Sequence, residues 1–139
     1  MMTDQRKILV GLVVGAAAIA TNASAHHSYV MFDRTKTVTI EGAVRAWEMT
    51  SPHSYLWVVV PKKDGPPEIW GMEGAGVGQL QRAGIHKSEV KPGDKVSVNL
   101  HPLRDGRTGG QLINLILGDT GRKVNFGGGG EPGKPQASE

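Results

Sequence analysis

The chain has 139 residues and no cysteine, so a disulfide framework, a thiol nucleophile and a thiolate metal site are all excluded. Aromatic residues are scarce at 5%, glycine is frequent, and the formal net charge is only +3. The basic residues are scattered rather than clustered, which describes a solvated surface and not a nucleic-acid patch. No apolar run approaches the ~20 residues that a membrane-spanning helix needs. Also missing are a phosphate-binding Gly-Lys-Ser/Thr loop, a His-Glu-x-x-His pair and a calcium loop of alternating acids. Ser28 beside His27 and Ser54 beside His53 are neighbours in sequence only, without the positioned acid and oxyanion hole of a hydrolase. These absences point to a binding protein rather than an enzyme.

What is present begins with an export signal. Arg6 and Lys7 give a positive end, Ile8 to Ala20 (ILVGLVVGAAAIA) an apolar run of about 13 residues, and Thr21 to Ala25 (TNASA) small residues for a peptidase pocket. The run is shorter than a span, so cleavage after Ala25 is expected rather than a retained signal anchor. The expected compartment is the periplasm, with no stable membrane insertion after cleavage. The mature chain would start at His26-His27 and keep about 114 residues, enough for one domain over 26–126. After Phe126 the sequence GGGGEPGKPQASE cannot bury enough apolar surface to offset its ordering entropy, so 127–139 is expected to be a disordered tail.

Between these ends the pattern is β. Val38, Ile40, Gly42, Val44 and Ala46 alternate with polar or small residues over Thr37 to Trp47, the period of a half-buried strand. Tyr55 to Val60 (YLWVVV) is a continuous run that suggests a strand buried on both faces. Asp64-Gly65 makes a turn, and Glu68 to Glu73 (EIWGME) returns as strand three. Val77, Leu80 and Ala83 at spacing three, with Gly84 as C-terminal cap, predict one short helix within Gly74 to Gly84. Lys91-Pro92-Gly93-Asp94 is a turn, Val96 to Leu100 strand four and Gln111 to Leu117 strand five. Three strands, a helix and two strands is the order of a small five-stranded OB-like barrel, with a small open β-sandwich as the alternative. The expected core is Val38, Ile40, Val44, Leu56, Val58, Val60, Ile69, Leu80, Val96, Val98, Leu100, Ile113 and Leu115.

The histidines carry the sharpest chemistry. A cut after Ala25 gives His26 a free α-amine beside its imidazole, a chelating pair that no internal residue offers. A further imidazole would complete a T-shaped nitrogen set suited to Cu(II), a histidine brace. The candidates are His53, after Pro52, and His101, before Pro102, with His27 next to the terminus. A cut one residue earlier would place His27 third, a spacing that binds Cu(II) through amine, amides and imidazole. The plain alternative is a solvated start at His26-His27 and a turn-stabilising His53. His101 has parity opposite to Val96, Val98 and Leu100 and should face away from the core, and His86 reads as surface. Thioethers favour Cu(I), so Met49 and Met72 add weak support, although methionine is a common core filler.

Several separated blocks carry a resemblance: Ala25-His26-His27-Ser28 with Met31-Phe32-Asp33, Ser51-Pro52-His53-Ser54, Trp70 to Gly74 (WGMEG), Lys91-Pro92-Gly93-Asp94 and His101 to Gly106 (HPLRDG). In this order they look like a family of small exported bacterial proteins of unknown function, over His26 to about Val124. The resemblance implies a signal peptide and a small β-rich periplasmic domain. By analogy, the mature His terminus is similar to that of periplasmic copper-binding β-proteins of the copper-resistance type, which the rest of the chain does not match.

Two binding functions follow. One is a periplasmic protein holding copper through His26 with His27 and one or both of His53 and His101. The other is a non-metal module that takes a small anionic ligand, a glycan or a protein on a barrel face, using the loops around Ser51-Pro52-His53 and Arg104-Asp105-Gly106-Arg107, with Trp47, Trp57 and Trp70 either lining the groove or serving as core. A copper-dependent oxidative enzyme has the least support.

Overall fold

The computed structural model describes residues 30–126. The expected leader 1–25, the His26-His27 start and the tail 127–139 lie outside the described residues. The barrel lies within the described residues 32–126.

Five strands close the barrel: β1 (Val38–Glu48), β2 (Ser54–Val60), β3 (Glu68–Gly74), β4 (Lys95–Pro102) and β5 (Gly109–Leu117). β1 pairs antiparallel with β2 and β4, β2 with β3, and β4 with β5. A short parallel ladder, Gly71–Glu73 of β3 against Gly109–Gln111 of β5, completes the ring. That closure makes the fold an OB-like barrel and not an open sandwich. A sixth strand, β6 (Lys123–Asn125), pairs with β5 at Asn114–Ile116, beyond the stretch that β3 occupies.

The one short helix of the barrel, α1 (Val77–Arg82), lies between β3 and β4 and buries Leu80. It ends because Gly84 takes φ +75, the left-handed conformation. The Ile85 amide then reaches the Leu80 carbonyl and the Gly84 amide the Gln81 carbonyl, at 2.9 and 3.0 Å. Leu80 and Ile85 are both buried, the apolar contact that accompanies this capping geometry. A 3₁₀ turn at Lys87–Glu89 leads on to β4.

The core fills with alternate residues of each strand. Leu56, Val58, Met72, Val98, Leu100, Leu112 and Leu115 are fully buried, each contributing roughly 1.5–3 kcal/mol of apolar burial. Five expectations need correction. β2 is not buried on both faces: Ser54, Leu56 and Val58 point in, whereas Tyr55, Trp57 and Val59 lie half-buried outside. β3 has the reverse parity, with Met72 inside and Ile69 42% exposed. In β1 the register shifts between Val44 and Ala46, so Trp47 rather than Ala46 turns inward. In β5 a shift opposite Asn99/Leu100 leaves Ile113 unpaired between Leu112 and Asn114 and only half-buried. Val38 and Val60 pack partly buried against the core rather than within it.

β6 and the residue after it close one side of the core. Phe126 is buried and meets Trp47 edge-on, with ring centroids 5.2 Å apart. Trp47 therefore belongs to the interior and lines no groove. Trp70 packs against the core, its indole N–H donating to Glu68.

Candidate functional site

The registers that build the barrel set one row of side chains around its outer wall. Glu48 pairs with Tyr55, Tyr55 with Glu73, Glu73 with Gln111 and Gln111 with His101. Residues directly opposite on neighbouring strands share a face, and the flanking residues Trp47, Leu56, Met72, Leu112 and Leu100 are all inside. The row therefore presents acid, phenol, acid, amide and imidazole on five successive strands. Two histidines meet this row, His101 as a member and His53 from the β1–β2 loop against Glu73, and their chemistry is closely parallel.

His101 sits near the end of β4, half-buried on the outer face as its parity requires. Its Nδ1 lies 2.7 Å from the Lys36 carbonyl oxygen. A carbonyl can only accept, so Nδ1 carries the proton in the neutral ring and the Nε2 lone pair is left for a ligand. The carbonyl is fixed by a tight local structure. The Lys36 amide donates to the Asp33 carbonyl at 3.1 Å, and the Asp33 carboxylate accepts from the Thr35 hydroxyl at 2.6 Å and pairs with the Lys36 ammonium at 3.1 Å. The Thr35 hydroxyl, and after it Lys36, hold the Asp33 carboxyl down to about 2. Upstream, the Asp33 amide donates to the Pro102 carbonyl at 2.8 Å and Phe32 bridges Leu103. The segment that leads from the N-terminal side is thus fastened to the strand end that carries His101.

His53 belongs to the β1–β2 loop, which contains the cis Ser51–Pro52 peptide. The Thr50 hydroxyl donates to the His53 carbonyl at 2.6 Å, and the Ser54 amide donates to the Ala75 carbonyl at 3.2 Å. The His53 Nδ1 is 3.1 Å from a Glu73 carboxylate oxygen, which again assigns the neutral ring's proton to Nδ1 and frees Nε2. Glu73 also faces Tyr55, whose phenol is pushed up by burial first and by the Glu73 charge second.

The two histidines do not converge. Gln111 stands between Glu73 and His101 in the row, and those two are separated by two interstrand steps, roughly 10 Å. Among the described residues no group of three His, Cys, Asp or Glu is close enough to hold a metal ion. His26 and His27 lie outside the described residues. Met72 is fully buried core and Met49 packs against the core, so Met72 is withdrawn from the copper argument. His86 is exposed beyond α1.

Next to the row, Tyr55 and Trp57 lie with ring planes 25° apart and centroids separated by 6.5 Å, the indole crossing over Gly71 of β3. Beside it runs the β4–β5 loop, where the Thr108 hydroxyl donates to the Ile69 carbonyl at 3.1 Å. In that loop Asp105 accepts from the Arg107 amide and guanidinium at 3.1 and 2.8 Å, and these bonds lower its carboxyl's pKa. The Gln111 side-chain oxygen is buried without a hydrogen-bond partner.

Sequence reasoning missed Glu73, Gln111 and the Lys36 carbonyl. Strand three's alternation carried the signal for Glu73, since Met72 inside requires Glu73 outside. A backbone carbonyl has no sequence signature, and the Gln111 neighbours are fixed only by barrel closure.

One family model, described as a family of unknown function (DUF6152), matches residues 14–112. The chain belongs to this family. The match runs from the N-terminal segment into β5 and takes in His26, His27, His53 and His101. No curated protein and no solved structure matches the chain.

Proposed function

We propose that this member of the family is an exported, periplasmic protein that binds Cu(II) without catalysing a reaction, through the α-amine and imidazole of a mature N-terminal His26 and one further imidazole. The observation that carries the reading is the state of the two histidines on the barrel. His53 and His101 each give Nδ1 to an oxygen acceptor, at 3.1 and 2.7 Å, and so keep Nε2 as a lone pair. Metal-binding histidines almost always hold their second nitrogen in this way, on a carboxylate or backbone carbonyl. The leader with its small residues before His26 supports the free terminus, and neutral imidazole nitrogens suit Cu(II).

The test starts from the full chain expressed in a bacterial host and recovered from the periplasm. Intact mass should begin the protein at His26, and one equivalent of Cu(II) should give a d–d band and nitrogen hyperfine structure in EPR. Three extra residues before His26, which leave no histidine at the first or third place, should abolish that spectrum. A first residue other than His26, or equal copper binding by the extended chain, overturns the reading.

A second reading has its own observation. Tyr55 and Trp57 lie half-exposed on the β2–β3 face, between the loops that OB-type barrels use for ligands. A small ligand or protein bound there would shift tryptophan fluorescence in a way that chelator does not reverse.

A further inference from the structure

We infer that the open edge of β1 takes up an extended segment of a partner protein, a strand carrying an apolar side chain and, two residues away, a lysine or arginine. No histidine and no metal takes part, so this edge stands apart from the copper site. β1 outruns its neighbour. Its residues 38–43 pair with β4, but its pairing with β2 starts only at Ala43, which leaves 38–42 with a strand on one edge alone. The Val44 amide donates to the Asp94 carbonyl and the Val44 carbonyl accepts from the Gly93 amide, at 2.9 and 2.8 Å. Backbone groups alternate between the two edges of a strand, so Gly42, Ile40 and Val38 serve β4 while Glu41 and Thr39 direct theirs the other way. β2 would meet them if it continued, but it ends at Val60, and Pro61, which has no N–H, follows. Thr39 and Glu41 are both exposed. Their two amides and two carbonyls are a template for a further strand, the way in which sheet edges capture extended peptides.

A cleft lies against the same edge. Its volume is about 620 Å³, and its lining includes Glu41 and Ala43, Val59 and Pro61 at the end of β2, Pro67 and Lys95. A strand added along 38–42 continues the line of β2 and sets alternate side chains on the outer wall. The one opposite Glu41 comes beside Pro61 and the apolar part of the cleft. The next stands opposite Thr39 and diagonal to Glu41, within reach of a long side chain. Glu41 forms no ion pair among the described residues. It is one interstrand step from the added strand, ~5 Å, whereas Lys95 on β4 is two steps away, ~10 Å. The edge therefore selects a basic residue. A second copy of this chain fits less well, because two-fold pairing of the same edges would bring the two Glu41 carboxylates onto neighbouring strands of one face, and like charges there oppose pairing.

The experiment uses the full chain, ¹⁵N-labelled and kept in EDTA, with the capped peptide acetyl-Thr-Leu-Thr-Lys-Thr-amide as probe. In the free chain the Thr39 and Glu41 amides should exchange with solvent fast, and those of Ile40 and Gly42 slowly. The probe should shift the Thr39 and Glu41 resonances saturably and slow their exchange. The same peptide N-methylated at its leucine and lysine should do neither. Glu41→Lys should bind the probe about threefold more weakly, and a peptide with glutamate in place of its lysine should reverse that order. No saturable shift, or an equal one from the N-methylated peptide, overturns the inference. So does slow exchange at Thr39 and Glu41 in the free monomer, since the edge would then already be paired. Protection in the free chain that fades on dilution, as light scattering falls from the mass of two chains to one, assigns the edge to a second copy and rules out the partner strand.

Discussion

The surroundings of His101 and His53 reach one outcome by two routes. At the end of β4 a backbone carbonyl orients the ring, and the turn behind it is held by Asp33, Thr35 and Lys36. In the β1–β2 loop a glutamate side chain does so from the next strand. The first acceptor is a backbone oxygen that no single side-chain replacement removes, whereas the second is a side chain that one substitution takes away.

Predictions that would sharpen or break this contrast differ widely in size. Extending the mature chain by three residues, which leaves no histidine at the first or third place, should have the largest effect, lowering Cu(II) affinity by about 10²–10⁴-fold as the chelating terminus is lost, measured by chelator competition. Gly110→Ala should follow. A Cβ there would overlap the His101 carbonyl oxygen, displacing β4 where it carries the imidazole. Denaturant melts should show about 1–3 kcal/mol of lost stability, with weaker copper binding; an unchanged melt would mean that β4 is not confined as described.

Glu73→Gln touches only the His53 side. NMR should show the His53 ring losing its carboxylate partner; a ~10–100-fold loss of Cu(II) affinity, as expected for the outer partner of a ligand, assigns the further imidazole to His53, and affinity within about threefold assigns it to His101. The smallest effect concerns Asp33, whose carboxyl is lowered from 3.8 to about 2 by the Thr35 hydroxyl and then Lys36. A depressed carboxyl adds stability that is complete above its ordinary value and is lost as pH falls through about 2. Carboxyl NMR should place its midpoint well below 3.8, and a midpoint at 3.8 would mean that the turn under His101 is not formed.

Much of the barrel was legible because its strands alternate and its turns carry their usual residues. Leu80 with Gly84 marked α1, and Lys91 to Asp94 marked the turn before β4. The failures occur where alternation breaks. The shift after Val44 moves Trp47 inward, and the unpaired Ile113 in β5 takes a place that parity had given to the core. Such shifts depend on the partner strand and leave no mark in the strand's own sequence. β6 is three residues among polar neighbours, and only the packing of Phe126 on Trp47 explains it. The outward parity of His101 was readable. The proximity of Lys36 to it was not, because the contact joins residues 65 apart through a backbone atom.

The most direct measurement is EPR of the Cu(II) protein grown with ¹⁵N-histidine and recovered with His26 at its terminus. The proposed copper site requires that every coordinating nitrogen come from histidine, the His26 amine and Nδ1 and one further imidazole, so the ¹⁴N superhyperfine pattern should be replaced completely by that of ¹⁵N. A remaining ¹⁴N coupling, as an Ala25 amine or a non-histidine backbone amide would give, contradicts it.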